Sequence, residues 1–451
     1  MAAGESAGRM AWAARLSPWL QAATRTEFRR NTLWVTLLSA FERLIAMAQT
    51  VVISRALGMT EYGVYGLLFG TIGFVASVVG FQMGLTATVF VSRYREAEKA
   101  KAAGVISTVS RFALISATVL VATSLPFSAR LSEFLVGFGD YQLAVIVGIV
   151  FVAVTIVSGV QDGVAQGLER FRDLAKLKIG ASLVVLVAIQ PAAQAFGLDG
   201  VLIAILAGLV LKWVILERMI RRSRREAEIP DAAAAVSLRT LIGDFALPSM
   251  VVSLLVGFAT WLGLFVLSKQ DGGFNHVAIV STGLQWRGPI LLLAASIGSV
   301  AVPVFGRLSA SGDASGLRQL RRRLILANMG VSLVAALAIV ASSGLILALY
   351  GGNFAQGRLA FCVIALSTVP TVIVNVYMQE LVGAARMWRQ LWVHCPYLVA
   401  LCVAFVWLVP RYHSMGYAAA LLIGAVVFLA QALVADAMFS RRQTADSEAR
   451  W

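Results

Sequence analysis

The sequence predicts an all-α integral membrane protein, with about twelve transmembrane helices in two six-helix lobes related by an internal parallel repeat. Three observations predict it. Hydrophobic residue types fill 59% of the 451 positions and charged types only 14%, where soluble domains run near ~45–50% and ~25%. The apolar residues gather into runs close to the ~20 residues that one membrane crossing needs. Shifted by 214 positions, the chain matches itself at the ends of those runs.

The runs lie at roughly 31 to 54, 62 to 92, 103 to 126, 139 to 165, 176 to 196, 198 to 217, 240 to 268, 275 to 304, 322 to 349, 358 to 381, 390 to 409 and 414 to 438. Only the short "AFGLDG" divides the fifth from the sixth. Lys and Arg orient the runs, because cytoplasmic loops hold the excess. With both termini cytoplasmic, 30 of the 38 basic residues fall on the cytoplasmic side and five (Arg55, Arg130, Lys269, Arg358 and Arg411) on the other. The formal charge of +15 is therefore mainly a topology signal. No basic run is interleaved with aromatics in a soluble domain, so nucleic-acid binding has no support.

The resulting division is a cytoplasmic N-terminal segment (1–30), a first lobe (31–217), a basic cytoplasmic linker (218–239), a second lobe (240–438) and a cytoplasmic tail (439–451). In the first segment Trp12, Leu16, Trp19, Leu20 and Ala23 share one helical face that suits a helix lying on the membrane surface, although Pro18 interrupts it. No compact apolar block ends there in a small-residue cleavage site, so no signal peptide is read. The run "ERMIRRSRREAE", Glu217 to Glu228, suits either anionic lipid headgroups or a solvated connector. Every loop is short, and no soluble catalytic domain is expected. Cys362, Cys395 and Cys402 sit in apolar runs as small core residues, and His276, His394 and His413 are far apart in sequence. Neither a disulfide framework nor a metal centre is expected, and no cofactor.

At the offset of 214, "SRALG" (Ser54 to Gly58) meets "SKQDG" (Ser268 to Gly272), Arg93 meets Arg307, and Gly137 meets Gly351. At 216, Gly167 and Arg170 meet Gly383 and Arg386. Each match is weak alone; their shared offset and their place at helix ends carry the weight. Six crossings is an even number, so the two halves enter the membrane from the same side, related by an axis along the membrane normal. Such a pair can rock about a shared cavity.

Three basic residues stand away from the helix ends: Arg43 midway along the first run, Arg287 midway along the eighth, and Arg111 about two turns into the third. An arginine at the bilayer centre costs about 2.5–3.5 kcal/mol on insertion scales, so it faces a wet cavity or a partner. Arg111 is shallow enough to snorkel to the interface instead. The acidic counterparts are Glu42 beside Arg43, Asp162 near the inner end of the fourth run and Glu380 near the inner end of the tenth. These three are the candidates for ion coupling or gating. Neighbouring residues on a helix point about 100° apart, so Glu42 and Arg43 are poorly placed to neutralise each other. Asp162 and Glu380 lie close to Arg170 and Arg386, where an ion pair competes with proton transfer as their role. One mid-membrane arginine per half, with little acidic charge beside it, favours an anion, and the guanidinium fork suits phosphate. Arg43, Arg287 and Arg111 are the candidate substrate-binding residues.

The stretch "ISRALGMTEYGVYGLLFGTIGFVASVVGFQMGL" (Ile53 to Leu85) resembles the opening of the bacterial polysaccharide exporters, the O-antigen-flippase-like branch of the multidrug/oligosaccharidyl-lipid/polysaccharide flippase superfamily. "VAVPVFGRLSASGD" and "LYGGNFAQG" are similar to that family as well. The resemblance implies two six-helix lobes in a V that alternately open a cationic cavity to each side. It implies a polyprenyl-pyrophosphate-linked glycan as cargo, moved across the bacterial cytoplasmic membrane for O-antigen, capsule or exopolysaccharide assembly, with Arg43 and Arg287 meeting the pyrophosphate. Anionic lipids and enzymes of polysaccharide assembly would be its partners, and it would not itself be an enzyme. The rivals are a cation-coupled drug or organic-cation antiporter of the same superfamily and, from another class, a membrane polysaccharide polymerase or ligase.

Overall fold

The computed structural model describes residues 26–137, 141–230, 247–311, 314–383 and 387–448. The surface helix expected around Trp12 to Ala23, residues 231–239 of the linker, Arg386 and the last three residues lie outside this set. The first half comprises α1 (Thr26–Leu57), α2 (Met59–Val79), α3 (Met83–Tyr94), α4 (Lys99–Ser124), α5 (Ser128–Leu135), α6 (Gln142–Gly167) and α7 (Phe171–Glu226). The second comprises α8 (Leu247–Ser268), α9 (Gly273–Ala310), α10 (Ala314–Ala341), α11 (Ser343–Tyr350), α12 (Arg358–Leu366), α13 (Thr368–Gly383) and α14 (Met387–Glu448). Nine helical runs among the described residues are long and apolar enough to cross a membrane. Two of them, in α7 and α14, double back at a kink and so count twice; with α1, which carries the charged pair Glu42–Arg43, there are twelve crossings.

The two doubled helices show the repeat most plainly. In α7 the chain turns at Gly197 (φ 57°, ψ −135°), and in α14 it turns at His413 (φ 47°, ψ −125°), 216 residues later. Past each turn a glycine lets the returning limb press on the outgoing one. A methyl group on Gly200 would stand 2.1 Å from the Ala192 carbonyl oxygen, and one on Gly416 2.2 Å from that of Leu408. The same offset separates both pairs. Left-handed glycines repeat too, Gly58 with Gly272 and Gly137 with Gly351, 214 apart. These are places where a chain reversal needs a residue without a Cβ. His413 occupies the conformation that glycine takes in the first half.

Several boundaries differ from the sequence reading. The second crossing is broken between α2 and α3, where Phe81 and Gln82 adopt positive φ. The ninth run stops at Ala341, and its last residues form the separate short helix α11, matching α5 in the first half. Helix α7 runs on to Glu226, so the basic stretch Arg221 to Arg225 is helical.

Packing shows how the halves meet. One buried cluster runs through both, from Ile53, Tyr62 and Leu67 to Phe274, Tyr350, Phe361 and Tyr417, at the end of the bundle opposite the termini. Towards the terminus end the buried clusters belong to one half each: Met83, Phe90, Val160 and Leu216 in the first, Val374 and Phe428 or Phe305 and Val376 in the second. The halves are sealed at one end and separately cored at the other, which makes a V that opens toward the termini.

Candidate substrate site between the two halves

The seal is built from α1 and α2 of the first half against α8, α9 and α11 of the second. At its outer rim Ser54 donates to the Tyr350 carbonyl (3.1 Å) and Thr60 donates to Asn275 (2.9 Å). Gly63 lies so close to α9 that a methyl there would stand 1.9 Å from the Phe274 carbonyl oxygen. Deeper in, the Tyr350 hydroxyl meets Thr50 (2.9 Å) and accepts from the Trp286 indole (3.2 Å). On the other flank the Trp261 indole donates to Thr71 (3.0 Å) and Gln82 donates to Ser253 (3.0 Å).

Arg43 stands on α1 twelve residues, or about 18 Å of helix, from Arg55. Its exposed guanidinium reaches across the seam, where a methyl built on Gly288 would be 3.7 Å from Cζ and Nη2. Any side chain at 288 larger than alanine would compete for that place. Gly288 follows Arg287, so the structure brings the intramembrane arginine of one half within one residue of that of the other. Arg287 is turned into the second half: its Nη2 donates to the Thr371 hydroxyl (2.9 Å), which itself donates to the Ser367 carbonyl (2.9 Å). Among the described residues its buried Nε has no hydrogen-bond partner, and neither has the buried Tyr417 hydroxyl, which lies within electrostatic reach. Among the described residues no carboxylate pairs with Arg43 or Arg287. A desolvated cation without a counter-ion is costly, and an entering anion lowers that cost.

Glu42 points elsewhere. It is half-buried and within electrostatic reach of Lys212 on the second limb of α7. Asp162 of α6 takes Lys212 (3.1 Å) and Lys178 (3.3 Å) as partners rather than Arg170, which pairs with Glu226 and Asp173. Sequence reasoning misses Lys178 and Lys212 beside Asp162, because both fall among the 30 basic residues assigned to the cytoplasmic side. The signal was there for Lys212, a lysine inside the apolar run "AGLVLKWVIL". Glu380 forms an ion pair with Arg321 of α10 (3.2 Å), whose guanidinium also lies over the Tyr377 ring. Arg111 is apart from both groups, on the exposed stripe of α4 with Leu114, Ile115 and Val119, so the structure does not bring it to the seam.

The repeat supplies an internal comparison. The positions equivalent to Glu42, Asp162, Lys178 and Lys212 are Val256, Met378, His394 and Phe428, at offsets of 214 for the first and 216 for the rest. In the second half Met378 and Phe428 are core residues of one cluster, with the His394 ring against Phe428 at 4.8 Å. One lobe is ionic where its twin is apolar and aromatic, so the lobe fold does not require charge at those positions. Arg43 and Arg287 likewise align with Gly257 and Gly73, which makes the site asymmetric within a symmetric frame.

Comparison with known proteins agrees with this architecture. A family model described as polysaccharide biosynthesis protein matches residues 28–309. The EPS I polysaccharide export inner membrane protein EpsE of Ralstonia nicotianae is 25% identical over 313 residues, covering 68% of this chain and 69% of that protein. The protein of the same name from Ralstonia solanacearum is 25% identical over 285 residues, covering 61% and 64%. Among solved structures, the inward-facing conformation of a multidrug resistance MATE family transporter of the MOP superfamily superposes with a TM-score of 0.76 at 18% identity, over 89% of this chain and 96% of that one. The outward-facing conformation of a MATE transporter gives 0.69 at 17% identity, over 92% and 94%. The chain belongs to the polysaccharide biosynthesis protein family and is a multi-pass membrane protein with the fold of the MATE family transporters.

Proposed function

We propose that this transporter flips a polyprenyl-pyrophosphate-linked oligosaccharide across the bacterial inner membrane by alternating access, for O-antigen, capsule or exopolysaccharide assembly. The observation that carries the reading is that Arg43 of the first half reaches across to Gly288, the residue next to Arg287 of the second, and that among the described residues neither arginine is paired with a carboxylate. An organic cation would be repelled there, whereas a pyrophosphate offers oxygens to both forks. The two relatives named for polysaccharide export support the glycan class.

With both termini cytoplasmic, the V opens inward and the apex lies at mid-membrane. The headgroup enters from the cytoplasmic leaflet while the polyprenyl tail stays in lipid. Arg43, held on an exposed face of α1, exchanges water for phosphate oxygens. Arg287, oriented by Thr371, supplies the second contact from its partnerless Nε side. Because the anion then bridges the halves, its binding is coupled to their relative rotation. The Glu42–Lys212–Asp162–Lys178 cluster is the proposed coupling site, joined to the helix of Arg43 through Glu42.

The test is translocation of a fluorescent undecaprenyl-pyrophosphate oligosaccharide in proteoliposomes, comparing native protein with Arg43→Ala and Arg287→Ala after each is shown to fold and insert. Native flipping with both variants stalled supports the reading. Unchanged variants remove the arginines from the cargo path, and native protein that moves organic cations but no lipid hands the function to an antiporter.

A further inference from the structure

At the sealed end, each half places one basic residue on the other. The Arg55 Nε and Nη2 donate to the carbonyls of Leu349 and Ala348, both at 2.6 Å. The Lys269 Nζ donates to the carbonyls of Phe134 (2.6 Å) and Leu135 (3.3 Å). The donors are 214 residues apart, and so are the acceptors: 55 with 269, 134 with 348, 135 with 349. The acceptors lie in the last turns of α5 and α11, short helices whose final carbonyls have no partner within the helix and carry the negative end of its dipole. Both donors are exposed to water, so opening there re-solvates them instead of stranding a buried charge. Lys269 also lies over the stacked rings of Phe134 and Phe265, at 5.9 and 5.1 Å, and burial lowers its pKa from the ordinary lysine value.

We propose that Arg55 and Lys269 are a reciprocal pair of latches that holds the seam shut at the end opposite the termini, and that both must release whenever that end opens. Each belongs to one half and caps a helix of the other, so neither contact contributes to the fold of a single lobe. Their equivalence under the repeat means that one rotation of the halves breaks both together. Backbone carbonyls as acceptors make the latch indifferent to pH over the range where carboxylates titrate. The inference does not depend on what the cargo is.

The test uses the full chain with Cys362, Cys395 and Cys402 replaced and spin labels at Glu133→Cys and Asp271→Cys, exposed positions in opposite halves near the Lys269 latch. Distances are read by double electron–electron resonance in nanodiscs. Arg55→Gln and Lys269→Gln should each shift the population toward the longer distance by on the order of three- to tenfold, and the double variant by about the product, since each removes a charge-assisted hydrogen-bond pair. Thermal midpoints should stay near native. Arg55→Lys and Lys269→Arg, which keep the charge, should restore the short distance. A double variant with the native distance distribution overturns the proposal. Loss of folding in the double variant overturns it too, because the contacts would then be structural; labelling of Val277→Cys by an impermeant maleimide in native membranes gives a second reading of the same opening.

Discussion

Replacing Gly63 by alanine should move the seam and leave the lobes intact. The added methyl would stand 1.9 Å from the Phe274 carbonyl oxygen, 2.6 Å from its carbon and 3.0 Å from its Cα, all backbone atoms that cannot swing aside. Ordinary contact needs about 3.4 Å or more, so α2 and α9 must separate by roughly 1.5 Å at that level. Overpacking of this size costs about 1–3 kcal/mol. Since Gly63 is in one half and Phe274 in the other, the penalty falls on the closed seam and not on either core. It should move the closed-to-open ratio by about five- to 150-fold at ~1.4 kcal/mol per tenfold. Gly163 is the control: a methyl there meets the Gly84 carbonyl at 2.0 Å, equally severe but inside the first half. The assay is the maleimide labelling rate of Val277→Cys, a fully buried seam residue, alongside thermal unfolding. Gly63→Ala should speed labelling with a near-native midpoint, and Gly163→Ala should lower the midpoint with labelling unchanged. Equal loss of midpoint in both, with no change in labelling, refutes the seam account.

Asp162→Asn leaves Lys178 and Lys212 facing each other in a half-buried site and should destabilise by about 1–3 kcal/mol, measured by thermal unfolding. The triple exchange Asp162→Met, Lys178→His, Lys212→Phe copies the twin lobe and should recover the midpoint while abolishing coupled transport. Thr371→Val removes the hydroxyl that orients Arg287; flipping should slow by about tenfold with the fold unchanged, read in proteoliposomes. Gly288→Ala meets Arg43 at an ordinary 3.7 Å and should be silent, whereas Gly288→Leu should displace the guanidinium and stall flipping.

The twelve crossings and the repeat could be read from the sequence because apolar runs are long and helix ends are marked by glycine and basic residues. Gly58, Gly137 and their partners are left-handed in the structure for the same reason that they recur in the sequence. The short helices α5 and α11 were hidden: eight apolar or mixed residues look alike as a loop, a span end or a helix. Glu42 and Arg43 were legible as a pair that must separate, since adjacent side chains diverge on a helix. Their destinations, Lys212 and Gly288, are long-range contacts that local pattern does not contain. Arg111 shows the same limit: depth in the membrane could be counted, but which face of α4 meets lipid depends on what packs behind it. The latch partners of Arg55 and Lys269 are backbone carbonyls, which no side-chain motif announces.

The central claim is that one anion bridges Arg43 and Arg287 across the seam. Equilibrium binding of farnesyl pyrophosphate, a short polyprenyl pyrophosphate, to purified native protein, Arg43→Gln, Arg287→Gln and the double variant tests it most directly. Each single exchange should weaken binding by about ten- to a hundredfold, the loss of one or two charge-assisted hydrogen bonds, and the double exchange should lose less than the product, because both contacts serve one ligand. Native-like affinity in the double variant would contradict the account.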